Sequence, residues 1–441
     1  MSRMLTPMRF PRVVRETLTR SRRVLPAFIA LAIAVNPARA QVVAVVGGTV
    51  YPVSGPRIEH GTVLMRDTKI VAVGADVPVP AGATRVDATG RWVTPGLINA
   101  ATDLGLVEVG AVNETRDIAA RGHDGIAASF AAVEGFNPAS PMIPLARAGG
   151  VTTVVLLPTN GLVSGQAAVV DLAPGNAHAV LLRAPAAMVT RVGHPDPDIG
   201  TARGELLGRL RELFDDVLTF NRQRDAYDRG DMRSLSTGRR DLVALVPVVR
   251  GEGLLVIQAD RASDIENALD LAREYHLRIA VAGGAEAWKV APALAAAHVP
   301  VLTGALDNVP ASFSTLDVRR DNAALLERAG VTVVLIGNSG SEDQGQFNVR
   351  NIRQEAGTSV ANGLPWEDAL RAITAGPATL FGVASQVGVL RPGTEANVVV
   401  WSGDPFELST RPEHVFVRGR EYTEPTREDL LTQRYRQLPT R

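Results

Sequence analysis

The groups of this 441-residue chain that could carry chemistry are carboxylates, amides and a few imidazoles. There is no cysteine, which removes thiolate ligands, thiol nucleophiles and disulfides together. The only lysines are Lys69 and Lys289, so no lysine lies between them to bridge two metals. Lys289 follows Trp288 on an expected helix, a poor place for a Schiff base. One stretch does gather metal-ligating types. Asp103, Glu108, Glu114, Asp117, His123 and Asp124 follow the apolar run at 93–98. Many carboxylates with one imidazole suit a hard divalent cation better than zinc, and the same composition suits a solvated loop. Asp103, His123 and Asp124 are the candidate ligands. A second polar loop, 339–348, carries Glu342, Asp343 and Gln344, which suit a pocket rim or a catalytic role equally well. His194 lies in a further loop, His276 and His298 at helix ends, and His178 ahead of a strand. Serine chemistry is not encoded: in 161–165 Ser164 stands one place late for a G-x-S-x-G elbow and reads as a turn residue. Neither a P-loop nor G-x-G-x-x-G occurs.

The elements that must position these groups follow from hydrophobic period. Between about 97 and 387, apolar runs alternate with helical patterns, the signature of βα units. Runs at 93–98, 150–157, 179–182, 242–249, 254–258, 278–281, 299–302 and 331–336 give eight strands, the number a (β/α)8 barrel requires. Residues 204–224 read as an outer amphipathic helix. Ser263 to Glu266 reads as a capping box opening a helix to about Glu274. Short strands with tight turns recur at 42–74 and 388–419, which predicts a small β-sandwich built from both chain ends. The expected fold is α/β, a TIM-like barrel plus that sandwich. The segments are 1–40 (export signal), 41–96 (sandwich), 97–387 (barrel), 388–420 (sandwich) and 421–441 (tail).

Composition agrees with one large aliphatic core: 46% of residues are hydrophobic and 5% aromatic. Formal net charge is zero, 46 basic against 46 acidic residues, which gives no basic surplus for nucleic acid. Residues 1–40 have the form of a bacterial signal peptide: an arginine-rich start, an apolar stretch from Leu25 to Val35, and Ala38-Arg39-Ala40 as cleavage site. The apolar run is shorter than the roughly 20 residues a bilayer demands. Ser21-Arg22-Arg23 partly matches a twin-arginine signal. The expectation is a periplasmic or extracellular protein starting at Gln41, with no membrane span after cleavage.

Pro95-Gly96-Leu97-Ile98 resembles the first-strand signature of the amidohydrolase superfamily, in which Pro-Gly-Leu-Ile-Asp precedes x-His-x-His. Residues 138–153, with Ala146-Arg147-Ala148-Gly149-Gly150-Val151-Thr152-Thr153, Gly283 to Trp288, and Ala396 to Val400 are similar to stretches of exported, imidazolonepropionase-like members. The resemblance implies a barrel that hydrolyses C–N bonds, in non-peptide amides or dipeptides, with one or two divalent metals. It also implies where ligands belong, and there this chain departs. The first-strand histidine positions hold Ala101 and Asp103. Gln258 stands for the fifth-strand histidine, Ala282-Gly283 for the sixth, and Asn338 for the eighth-strand aspartate. Zinc takes three protein ligands of His, Asp, Glu or Cys type, and neutral amides are weak donors. A bound metal lowers the pKa of water from about 15.7 to about 7, worth about 12 kcal/mol. General-base catalysis alone gives about 10²–10⁴-fold.

The resemblance with its lost ligands therefore predicts a pseudoenzyme, or a partner subunit in a homo-oligomer or beside an active homologue. The alternative is an active C–N hydrolase with a remodelled site. Asp103 and Asn338 are its candidate catalytic residues, and Gln258, Glu286, Asn338 and Ser339 the candidate binding residues for a small molecule or peptide. No cofactor is expected; if one is held, it is a divalent metal such as zinc.

Overall fold

The computed structural model describes residues 41–441 except 121, 123–124, 194–198, 307–308, 338–344, 424 and 437–441. The calls on the export signal, His123, Asp124, His194, Asn338, Ser339 and Glu342 to Gln344 lie outside the described residues.

Two eight-stranded sheets organise the rest. The first takes β1 (Val42–Val50), β2 (Ile58–Arg66), β3 (Lys69–Gly74), β4 (Thr84–Asp87) and β5 (Trp92–Pro95) from one end of the chain. The second holds β6 (Leu97–Thr102), β7 (Val151–Leu156), β8 (Val163–Asp171), β9 (Leu181–Arg191), β10 (Leu254–Ala259), β11 (Arg278–Gly283), β12 (Val301–Thr303) and β13 (Val333–Leu335). The strands β14 (Val398–Trp401), β15 (Pro412–Val417) and β16 (Arg420–Glu421) then return to the first sheet. Its order is β16-β15-β14-β5-β1-β2-β3, with β4 also on β1, so β14 pairs antiparallel with β5 and joins the two chain ends. Val45, Val63, Met65, Ile70, Val398 and Phe416 form its own core.

The second sheet runs in chain order from β6 to β13, and β13 approaches β6 to nearly close a barrel. Period-two alternation fills it. Ile98, Val155, Val189, Val256, Ala280, Leu302 and Val334 point inward, while their neighbours Leu97, Val154, Leu255, Ile257 and Val281 face the helices outside. The helix Arg203–Arg222 lays Leu206, Leu210, Leu213, Phe214, Val217 and Phe220 on that outer layer, the apolar stripe its period encodes.

The count of eight strands is right, but two assignments differ. Leu242–Val249 is not a strand; it lies in the helix Arg239–Val249. Leu242, Leu245, Val246 and Val249 are buried at a helical i, i+3, i+4, i+7 spacing, which prevailed over the β-branched composition. The strand absent from the sequence reading is β8, which is antiparallel to both β7 and β9. Ser164, read as a turn residue, is fully buried inside it. The capping box at Ser263 to Glu266 does not form: the helix Ala262–Tyr275 starts after Arg261 with no side-chain cap of its own.

The two sheets are joined at Gly96, between β5 and β6. A Cβ there would lie 2.1 Å from the Thr152 hydroxyl and 2.7 Å from Thr152 Cβ, so the Pro-Gly-Leu turn needs glycine for close approach. Trp401, fully buried in β14, packs across the same seam on Gly150 and donates from Nε1 to Thr94 Oγ1 at 2.8 Å.

Candidate functional site

A cavity of about 480 Å³ opens where β6, β7, β9, β10 and β11 end. Strand parity places two of its residues. Gln258 continues the inward series Leu254, Val256, and Ala282 continues Ala280; the two are register partners on β10 and β11. Asn99, Ala101 and Asp103 enter from the end of β6, and Arg116, Arg191 and Asp260 complete its charged lining. Asn99 is buried, donates to Val349 O at 3.2 Å and accepts from Ala101 N at 3.3 Å.

Asp103 is the carboxylate just beyond the end of β6. Its Oδ1 is buried with no hydrogen-bond partner, and Gly345 packs so close that a Cβ there would lie 3.0 Å from that oxygen. Desolvation raises its pKa to about 6, against a weaker opposing pull from its own backbone amide and Arg116. It therefore changes charge near neutral pH, where a general acid or base is most useful.

A divalent metal at this mouth would need side-chain donors converging from the strand ends. Ala101 has no donor, Gln258 offers a neutral amide, and Gly283 offers no side chain. Gly283 could not readily carry one: its φ is +92°, and a Cβ would sit 2.5 Å from Asp260 Oδ1. Among the described residues, no group of three or more His, Asp and Glu side chains converges as a metal cradle. The described donor set does not fit a catalytic zinc site, which takes three protein ligands.

Of the expected site residues, the structure brings Asp103 and Gln258 to one cavity. It places Glu286 elsewhere. That carboxylate is buried, accepts Ala262 N at 3.1 Å and lies 3.3 Å from Lys289 Nζ. It supplies the cap that the helix Ala262–Tyr275 lacks, a structural role in place of the expected ligand contact. Sequence reasoning missed Asn99, Arg116, Arg191 and Asp260. Asp260 was within reach, two residues beyond Gln258 at a strand end; Arg116 comes from a loop that no period places.

A nearly closed barrel with a mouth cavity at the strand ends, and a second sheet composed from both chain ends, is the TIM-like barrel plus extra domain of the amidohydrolase fold. The amidohydrolase family model matches residues 259–422. The amidohydrolase of Thermotoga maritima superposes with a TM-score of 0.77 at 26% identity, over 87% of this chain and all of that one. An imidazolonepropionase of Acidiphilium cryptum is 25% identical over 79% of this chain and 89% of its own length. The amidohydrolase tasK of Hapsidospora irregularis is 23% identical over 82% of this chain, which spans only 39% of that relative. The chain belongs to the amidohydrolase superfamily, a superfamily of hydrolases of C–N bonds.

Proposed function

We propose that this chain is an exported superfamily member that has given up metal-dependent hydrolysis and uses the barrel mouth to bind a small polar ligand, alone or as the partner subunit of an active homologue. The observation that carries this reading is the neutral set at the strand ends. Ala101, Gln258 and Gly283 stand where the family resemblance places metal ligands, and Asp260 fills the space a side chain at 283 would need. Two carboxylates, Asp103 and Asp260, and two guanidiniums, Arg116 and Arg191, line the cavity. That lining suits a ligand carrying both charges, such as an amino acid or dipeptide. Export rests on residues 1–40, and among the described residues no helix is long and apolar enough to cross a membrane.

A second reading has one specific observation behind it. Asp103, with a pKa near 6 and an unpartnered oxygen in the cavity, has the properties of a general base in a remodelled C–N hydrolase. One experiment separates the two. The protein starting at Gln41 is purified, its metal content is measured, and it is screened against dipeptides and cyclic amides. Substoichiometric metal and no turnover support the first reading. Turnover lost in Asp103→Asn, with or without metal, overturns it.

A further inference from the structure

We propose a second ligand site at the opposite, N-terminal end of the barrel, built to hold a small organic carboxylate with an apolar body. A pocket of about 170 Å³ lies under the starts of β9 and β10, walled by Ala186, Met188, Val248, Leu254 and Phe381. An apolar cavity of about 150 Å³ suffices to bind benzene, so this one has room for a single ring or a short chain. Arg183 and Arg278 stand on its rim, with Gln166 and one acid, Glu252.

Both guanidiniums are anchored without being neutralised. Arg183 Nη1 donates to Gly382 O at 3.2 Å and Nε to Pro185 O at 3.5 Å, while Arg278 Nη2 donates to Leu380 O at 3.4 Å. Among the described residues neither has a carboxylate partner. The anchoring turn is shaped for this: Gly382 has φ +71°, and a Cβ there would lie 2.1 Å from Arg183 Nη1. Carbonyls at a helix end hold cations in place but leave the remaining N–H groups free for an anion. A guanidinium binds a carboxylate through charge-assisted hydrogen bonds, and the apolar wall below supplies the rest of the contact. The site shares no lining residue with the mouth cavity, so it stands whatever the mouth does.

The test is calorimetric titration of the folded protein with benzoate, octanoate and the neutral benzamide. Expected is saturable binding of a carboxylate, with benzamide weaker by about tenfold or more, the worth of one charge-assisted hydrogen bond. Arg183→Gln and Arg278→Gln should each weaken binding about tenfold or more, and Ala244→Leu, which fills the lip, should abolish it. Asp103→Asn, in the separate mouth cavity, should leave carboxylate binding at this pocket unchanged. Preference for benzoate or octanoate tells a ring from a chain. The proposal is overturned by three results: no saturable carboxylate binding, affinity unchanged in both arginine variants although their unfolding midpoints fall, or loss of binding in Asp103→Asn. If an arginine variant fails to fold, Arg183→Lys and Ala244→Leu carry the same comparison.

Discussion

Asp171 gives the sharpest check on how the barrel and the composite sheet are held together. It ends β8, is about 1% exposed, and accepts from Arg418 Nε at 2.9 Å and Asn397 Nδ2 at 3.0 Å. Asn397 in turn accepts from Arg418 N at 2.8 Å, so one carboxylate ties β8 to the segments flanking β14 and β15. Burial outweighs the attraction of Arg418, whose side chain keeps 22% exposure to solvent, and the pKa rises to about 6 from 3.8. A folded-state pKa above the unfolded value means that the folded state binds the proton more tightly. The contribution is fully favourable below about pH 4 and is lost as pH rises through about 6. Complete ionisation costs about 3 kcal/mol, and the change between pH 4.5 and 7.5 is about 2 kcal/mol by the same linkage. Asp171→Asn keeps the shape and removes the titration. Urea unfolding of both proteins across that range should show wild type gaining about 2 kcal/mol on the variant as pH falls. A stability difference independent of pH, or one that favours wild type as pH rises, refutes the assignment.

Three further outcomes follow from the same geometry. Asp103→Asn should raise the thermal midpoint at pH 7.5, because an ionised, partly desolvated carboxylate with pKa near 6 costs up to about 3 kcal/mol; differential scanning calorimetry should show the gain shrinking toward pH 5. Gly96→Ala should lower stability by about 3 kcal/mol or more, since the new methyl meets Thr152 at the junction of the two sheets, and chemical denaturation reads it directly. Trp401→Ala should cost about 3–5 kcal/mol, the usual range for a buried tryptophan, with a matching loss of near-ultraviolet circular dichroism.

How much of this was legible depended on whether a residue's role is local. Gln258 was legible through resemblance, because Val256 to Ala259 matches the family's fifth-strand motif; Leu254 to Ile257 is apolar throughout, and only the folded sheet shows which of its residues face inward. The strands at both chain ends were plain, because Val, Ile and Thr runs end at tight turns. β8 was hidden because it opens Val163-Ser164-Gly165-Gln166, polar and glycine-containing residues that look like a turn. Its antiparallel course rests on pairing with β7 and β9, a long-range choice. The helix Arg239–Val249 was misread because eight apolar residues in a row satisfy both periods until burial decides. Glu286 shows the converse limit. Its neighbours, Gly283 to Trp288, are similar to a stretch of imidazolonepropionase-like members, yet its partner is a helix amide 24 positions earlier, and no local pattern encodes that.

The mouth can carry neutral residues at its strand ends without weakening the barrel because the mouth and the core are separate layers. The core residues that hold the strands, such as Ile98, Val256 and Ala280, lie below the strand ends; Gln258 and Gly283 stand above them at the ends of β10 and β11, outside that core, and Ala101 packs on its upper edge. Introducing imidazoles at these three positions therefore takes more than three substitutions. A side chain at 283 must also displace Asp260, whose Oδ1 accepts from Ala285 N at 3.3 Å and occupies the space a Cβ would take. Asp260 stands where a side chain at 283 would go, so Ala101→His, Gln258→His and Gly283→His together should retain less zinc than the same three combined with Asp260→Ala. Metal analysis after dialysis checks this, and equal retention in both proteins would show that Asp260 does not guard the position.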